Sequence, residues 1–304
     1  MDGLDDPALK RRLQALQRRG RRWLNGFFAL AFGTWALAMW VIFGEAVSAW
    51  WLLAPALTLI VTGAVAYGEI TGLVGAYRRE VLVPLYARNF DVVRPEPDAG
   101  LDDEALRRTG LFPALFGPQR RDLGERLALE HQGLPLVLRE GRIVIRRETN
   151  NPRADEVLFN GMLFELQARL PLSAAVVLLC GDTPAQPVPP AWQLDRMQRV
   201  KPGHPGLDGR IVVVCDAPSQ ARAALPLPVL QALARFVEQH PGGWRVVLDG
   251  QGLVGGLDGP RLTASVHPKA ALPDAAALAA HLQQLRTVMA LVDALTHRRP
   301  LARR

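Results

Sequence analysis

The residues best suited to bind a metal ion are spread along the chain without a ligand pattern. Structural metal sites draw their ligands from short spacings such as C-x-x-C, paired with closely spaced histidines. Neither of the two cysteines, Cys180 and Cys215, has such a neighbour. The histidines are equally dispersed: His131, His204, His240, His267, His281 and His297. The sequence therefore predicts no metal site.

Both cysteines end apolar runs, residues 174–180 and 211–215, which are typical of buried strands. In such a run a cysteine is usually a small buried hydrophobe. We expect both thiols to be reduced and not to form a disulfide, because the domain that carries them is predicted to be cytoplasmic.

The carboxylates that could act as acid or base are Asp182, Asp195, Asp208 and Asp216, which lie around predicted strand ends. Aspartates at such positions are more often turn formers than catalytic pairs. Residues 253–259 (LVGGLDG) are glycine-rich but lack the G-x-x-x-x-G-K-[ST] arrangement that binds phosphate, so a turn is predicted there. No catalytic residue and no cofactor is assigned from the sequence.

Glu69 is the one carboxylate with a specific functional alternative. It follows an apolar run, and an ionisable group at membrane depth would be functional. The other interpretation is an interfacial carboxylate on a helix that emerges into water. We favour the second, because Arg78 and Arg79 lie only about two to three helical turns further along.

Two apolar runs, residues 23–43 and 50–67, are separated only by residues 44–49. Each approaches the roughly 20 apolar residues that span a bilayer, and neither contains a charge. They predict a transmembrane helical hairpin over residues 23–76. The alternatives are a signal peptide cleaved near Ala46-Val47-Ser48, or two helices buried in a soluble domain.

The charges next to these runs predict an orientation. Positively charged residues flank the hairpin on both outer sides, whereas the connecting loop holds only Glu45. By the positive-inside rule both termini are cytoplasmic, in a multi-pass protein of the bacterial inner membrane. The flanking residues are Lys10, Arg11, Arg12, Arg18, Arg19, Arg21 and Arg22 before the hairpin, and Arg78, Arg79 and Arg88 after it.

Small residues recur at helical spacing in both runs, a pattern typical of helices that approach closely. We expect each stripe to pack against the other helix; the competing partner is a second copy of the protein. The stripes are Gly26, Ala29, Gly33 and Ala36 in the first run, and Ala64, Gly68, Gly72 and Ala76 in the second.

The remaining chain predicts an α+β fold, in which the transmembrane hairpin is followed by a cytoplasmic, largely antiparallel sheet domain with a long C-terminal helix. Residues 1–22 form a basic N-terminal segment, 77–100 a stem and linker, and 101–304 the α+β domain. Strands are expected at 134–138, 143–147, 158–170, 174–180, 210–215, 244–248, 253–257 and 261–266. Residues 139–142, which contain Gly141, are expected to form the hairpin turn between the first two strands. Helices are expected at 101–108, 119–130, 227–239 and 274–297, with an exposed connection at 183–190.

The order of these elements, together with several short motifs, resembles the bacterial membrane proteins of domain of unknown function 3137. The resemblance covers most of residues 20–297 and implies an architecture without catalytic residues, since that family has no settled activity. Residues 165–169 (ELQAR) depart from the lysine-containing turn expected there. The motifs are residues 77–81 (YRREV), 130–136 (EHQGLPL), 157–164 (VLFNGMLF) and 211–216 (IVVVCD), which leads into Leu225-Pro226.

Two function classes are carried forward, and a third is disfavoured. The first is an interaction or scaffold module at the inner membrane, with membrane lipids and a protein partner or homo-oligomer through the transmembrane helices. The alternative is a membrane-bound enzyme acting on a lipid or envelope precursor. A small transporter or channel subunit is disfavoured because the runs are nearly free of polar residues. The net charge of +7 is concentrated beside the runs and in the C-terminal tail, so no nucleic-acid partner is expected.

Overall fold

In a computed structural model of the chain, two compact units are seen, and each is described by itself. The first comprises Met1–Asn89 and Ser265–Ala277, and the second Phe90–Ala264 and Leu278–Arg304. We call them the helical unit and the sheet unit. The structure describes residues 7–43, 50–90, 93–94, 101, 106, 111, 119–145, 156–181, 198–259 and 275–296.

The helical unit is built from two long helices and a short third one. Helix α1 packs along α2, where the side chain of Leu73 approaches Gly20 and Arg19 Nη2 lies 3.2 Å from Glu69 Oε2. Leu9, Leu13 and Leu16 form a buried stripe at helical spacing on the N-terminal half of α1. The elements are α1 (Pro7–Phe43), α2 (Trp50–Tyr77), a π-helical turn (Arg78–Leu82) and α3 (Val83–Asn89).

The predicted transmembrane hairpin is wrong. Both apolar runs form helix, but within the described ranges no helix is long and apolar enough to cross a membrane. The same finding contradicts the predicted placement as a multi-pass protein of the bacterial inner membrane with cytoplasmic termini.

The small-residue stripes also differ from expectation. A Cβ added at Gly26, Gly33, Gly68 or Gly72 would have no heavy atom within 4 Å. These glycines of the two stripes therefore do not pack against the partner helix of the same chain. The prediction that each stripe packs against the other helix is wrong at these four positions.

The sheet unit contains one antiparallel sheet, which has nine strands among the described residues. Their order is β1-β2-β3-β4-β9-β8-β5-β7-β6, and every neighbouring pair is antiparallel. The predicted α+β class with antiparallel pairing is confirmed. The strands are β1 (Val93–Arg94), β2 (Gln119–His131), β3 (Leu134–Ile145), β4 (Glu156–Gln167), β5 (Val176–Cys180), β6 (Gln198–Val200), β7 (Ile211–Cys215), β8 (Trp244–Asp249) and β9 (Gly252–Asp258).

One face of this sheet is packed against helices, and we call it the helix face. Its residues include Leu138, Glu140 and Phe164. The helices are α4 (Pro218–Ala224), α5 (Leu227–Gln239) and α6 (Ala275–Thr296), and the last two confirm the predicted helices. Between α5 and β8, the rings of Phe236 and Trp244 pack edge to face with centroids 6.2 Å apart.

The opposite face of the sheet buries a cluster of branched side chains that includes Val137, Leu163, Val247 and Val254. The register places these residues on one face, because residues that oppose each other across antiparallel strands point the same way. Three leucines from outside the strands belong to the same cluster: Leu101, Leu106 and Leu111. We call this side the leucine face.

The structure corrects two predictions in the region that forms the β2–β3 hairpin. Residues 119–130 were expected to be helical but form β2, which pairs with both β1 and β3. Residues 139–142 were expected to be a turn but lie inside β3, and the turn is at Gln132 and Gly133, with φ of 52° and 76°. Gly141 is needed within the strand because a Cβ there would lie 2.7 Å from Leu163 Cδ1.

The glycine-rich residues 253–259 were expected to form a turn, but residues up to Asp258 belong to β9. A Cβ at Gly255 would overlap the ring of Phe164. On the other face of the sheet, a Cβ at Gly256 would lie 2.9 Å from Phe159 Cε2. The two glycines thus leave room for an aromatic ring on each side of β9. The predicted strand at 261–266, the connection at 183–190 and most of the helix at 101–108 fall outside the described residues.

Candidate functional site

Four described features could carry function: two histidine–carboxylate pairs, one arginine–aspartate pair and a pair of charged side chains that hold Leu101. Each is built from residues distant in sequence that the antiparallel sheet brings together. A fifth feature, an apolar surface, lies on the helical unit.

The first pair lies in the interior on the helix face. His281 Nδ1 of α6 lies 3.1 Å from Glu140 Oε1 of β3, and both side chains are only 5% exposed. Burial at this level is rare for ionisable groups unless they are paired. The pair therefore ties α6 to the centre of β3.

The second pair lies where the β2–β3 turn meets α6. His131 Nε2 lies 2.6 Å from Asp293 Oδ1, and the amide of Gln132 donates to the same oxygen at 2.6 Å. A carboxylate that orients an imidazole is part of many catalytic sites. Here Asp293 accepts from two adjacent residues of a tight turn, so the contact holds the hairpin against the C-terminal helix.

The third pair, Arg245 and Asp258, lies on adjacent strands on the leucine face. Burial lowers the pKa of Arg245, although the charge of Asp258 opposes that shift. Burial likewise raises the pKa of Asp258, and Arg245 and a backbone hydrogen bond to Asn160 only partly reverse it. The guanidinium also lies over the Phe159 ring, 5.8 Å from its centroid.

In the fourth feature, two charged side chains form hydrogen bonds with both backbone polar groups of Leu101. Glu165 Oε2 accepts a hydrogen bond from the Leu101 N–H at 3.0 Å, and Arg139 Nη1 donates to the Leu101 carbonyl at 3.1 Å. Arg139 is itself positioned by donating from Nε to the Gly124 carbonyl at 2.7 Å. We call Glu165 and Arg139 the backbone clamp.

The residues singled out by the sequence are mostly structural. Asp208 Oδ1 accepts from the Gly203 N–H at 3.2 Å, which confirms it as a turn former, and Asp216 follows the end of β7. Cys180 and Cys215 are buried, and burial raises the pKa of each thiol. Glu69 pairs with Arg19 on the surface of the helical unit. Asp182, Asp195, His267 and His297 lie outside the described residues.

No group of three metal-ligating side chains occurs among the residues whose placement the structure describes. His204 Nδ1 accepts from the Gly206 N–H at 3.2 Å, and the His240 ring stacks near Phe236. Each of these two histidines thus contacts a residue close to it in the sequence.

The apolar helix surface consists of large side chains that α1 and α2 expose. Eleven of the fourteen exposed large hydrophobic residues found in the described part of the chain lie on these two helices. They include Trp40 at 75% and Phe32 at 68% exposed. The full set is Trp23, Phe28, Leu30, Phe32, Trp35, Leu37 and Trp40 of α1, with Leu57, Ile60, Val61 and Val65 of α2.

Comparisons of the chain with protein-family models, with curated proteins and with solved structures find no match. The resemblance to the domain of unknown function 3137 family stays a prediction.

Sequence reasoning missed the backbone clamp. Arg139 was assigned to a turn, and Glu165 lies in an apolar strand where it breaks the pattern of its neighbours. A charged residue inside an otherwise apolar strand is the signal that could have revealed it, since buried charges need partners.

Proposed function

We propose that the chain is a protein-interaction module that associates with a second copy of itself through the apolar helix surface. The observation that supports this is the concentration of exposed large side chains on α1 and α2. Monomeric proteins rarely expose contiguous apolar patches of large size, and such patches mark interaction sites. Tryptophan is also enriched among the residues that dominate binding energy.

A second copy is the occupant that the helix surface favours. The stripe glycines Gly26, Gly33, Gly68 and Gly72 have open space above them rather than a neighbouring helix. Small residues on a helix allow another helix to approach closely. The same two helices therefore carry both large exposed side chains and glycines with open space above them, which suits packing of α1 and α2 against α1 and α2 of another copy.

Sedimentation velocity over a range of protein concentrations tests this proposal. We expect the wild-type chain to shift from monomer to dimer or larger species as its concentration rises. The triple variant Trp35→Gln, Leu37→Gln, Trp40→Gln should remain monomeric over the same range, because it removes three exposed anchors without touching the buried leucine stripe of α1.

The matched control is Leu227→Gln, which replaces an equally exposed leucine, 61% accessible, on the sheet unit. It should associate like the wild type. A wild-type chain that stays monomeric at all concentrations contradicts the proposal. Binding of monomers to phospholipid vesicles in place of self-association also contradicts it, and would assign the same surface to a lipid partner.

A further inference from the structure

Positive charge covers the exposed surface of α1 over residues 10–22. Helix α1 contains no aspartate or glutamate between Pro7 and Phe43. Arg19 pairs with Glu69 of α2, but four other guanidiniums form no ion pair with any residue that the structure describes: Arg12, Arg18, Arg21 and Arg22. We call the exposed cations of this segment the basic helix surface, and they are Lys10, Arg11, Arg12, Arg18, Arg19, Arg21 and Arg22.

These side chains surround the helix on three sides. The fourth side is occupied by the buried stripe of Leu9, Leu13 and Leu16. At about 100° per residue, the cations lie in three rows, about 100–120°, 180–220° and 280–300° around the helix axis from Leu9. The two side rows are Lys10 with Arg21 and Arg12 with Arg19, and the middle row is Arg11, Arg18 and Arg22.

Charge on three sides of a helix fits an anionic groove better than a flat anionic surface. A helix that lies on a plane of lipid headgroups touches them with one face, so the middle row would make most of the contacts. The major groove of B-form DNA is about 12 Å wide, admits an α-helix and has a phosphate backbone on each side. The segment 10–22 is about 18 Å long, which is enough to cross that groove. The major groove of an RNA duplex is too narrow for such an insertion.

The side-chain chemistry of the basic helix surface also suits phosphate. Six of its seven cations are arginines, whose planar guanidinium can donate two parallel hydrogen bonds to a phosphate group. The expectation of no nucleic-acid partner attributed these charges to headgroups beside a transmembrane hairpin, and the hairpin prediction is wrong. The geometry of the three rows is the observation that favours DNA.

We propose that the basic helix surface binds duplex DNA, with residues 10–22 of α1 lying in the major groove. Each side row contacts one of the two phosphate backbones that border the groove. The middle row faces the base edges, where guanine offers acceptors to arginine. The leucine stripe faces out of the groove. The basic helix surface ends before Trp23, and DNA binding does not depend on the self-association proposed above.

Fluorescence anisotropy with a short labelled DNA duplex, measured with the full chain at several salt concentrations, tests this proposal. Each neutralised phosphate makes the affinity fall with salt, with a slope of about −0.9 in log affinity against log salt. Four phosphates contacted by the side rows therefore predict a loss of affinity of roughly 150-fold between 50 and 200 mM salt.

The double variant Arg12→Gln, Arg21→Gln removes one arginine from each side row. Both residues are exposed, so the substitutions leave the buried leucine stripe intact. With two phosphate contacts left, the loss of affinity over the same salt range should shrink to roughly 12-fold. The matched control is Arg222→Gln, Arg235→Gln, which removes two exposed arginines from helices of the sheet unit and should keep the salt dependence of the wild type.

Three results would overturn the proposal. The first is a wild-type chain that does not bind the duplex at 50 mM salt. The second is a side-row variant, folded by circular dichroism, whose salt dependence equals that of the wild type, because a groove requires contacts on both sides of the helix. The third is binding to vesicles of anionic phospholipid in place of DNA, which would assign the same cations to a lipid surface.

Discussion

Glu140 and His281 lie in the interior of the sheet unit, where a polar side chain that loses its partner is costly. We expect Glu140→Leu alone, or His281→Leu alone, to lower the free energy of unfolding by about 1–3 kcal/mol, because the remaining polar side chain loses a buried partner. The double variant should recover most of that loss, because two apolar side chains can fill the same volume. Urea unfolding of the four proteins measures the coupling.

The control for this cycle is Glu238→Leu, an exposed glutamate on α5. It should change the free energy of unfolding by less than about 0.5 kcal/mol. Additive losses in the double variant would show that the two side chains do not act as a pair.

Asp258 makes stability depend on pH. Its pKa is raised in the folded state, chiefly by burial, so the folded chain holds this proton to higher pH than the unfolded chain does. The contribution of Asp258 is therefore greatest at low pH and is lost as pH rises from the unfolded pKa of about 3.9 through the folded pKa.

The variant Asp258→Asn lacks this titration. Its free energy of unfolding relative to wild type should rise between pH 4 and pH 7, as measured by urea unfolding at several pH values. Asp216→Asn replaces an exposed aspartate and should show no such trend. A flat difference for Asp258→Asn would contradict the role of burial at this site.

The histidine pairs show why the site residues could not be read from the sequence. His131 and Asp293 are 162 residues apart, and their contact exists only because α6 lies against the β2–β3 turn. The histidines could be identified as candidates, but their carboxylate partners depend on strand order. In that order β9 lies beside β4, and no local sequence pattern predicts this pairing.

At the level of strands, substitution of a β9 glycine tests how closely side chains pack against this strand. A Cβ at Gly255 would overlap the Phe164 ring and lie 2.8 Å from the Arg245 carbonyl. We expect Gly255→Ala to lower the free energy of unfolding by about 1–3 kcal/mol, because overpacking forces side chains and backbone to shift. Gly242→Ala is the control, since a Cβ at Gly242 would have no heavy atom within 4 Å. Equal stability of the two variants would contradict this packing.

Elements with strong local patterns were predicted well. Helix α5 matches its predicted bounds, and α6, β5 and β7 begin and end within about two residues of theirs. Strand β2 was missed because its charges, such as Arg126 and Glu130, mimic an amphipathic helix, whereas the structure pairs it with β1 and β3. The interior of β3 was taken for a turn because a short stretch containing Gly141 separates two β-rich runs, yet tertiary partners hold Arg139 and Glu140 within the strand.

The whole chain divides into two compact units, which predicts that it does not unfold in one cooperative step. Hydrogen exchange followed by mass spectrometry in increasing urea should give different midpoints for amides of α1 and of β8. Amides of β3 and β8 belong to the same unit and serve as the internal control, with one shared midpoint. A single midpoint for all three would contradict the division.

The prediction that failed at this scale was the transmembrane hairpin. Both apolar runs do form helices, but within the described ranges no helix is long and apolar enough to cross a membrane. The large apolar side chains that α1 and α2 expose are the ones that we assign to self-association.

Among the described residues, the outermost strands of the sheet are β1, Val93–Arg94, and β6, Gln198–Val200. An arginine, Arg94 or Arg199, lies in each of these strands, and charged residues on edge strands disfavour pairing with another sheet. Short, charged edges are how natural sheets avoid joining edge to edge into fibrils. We therefore expect orderly assembly through the helices, with the sheet contributing little tendency toward amyloid.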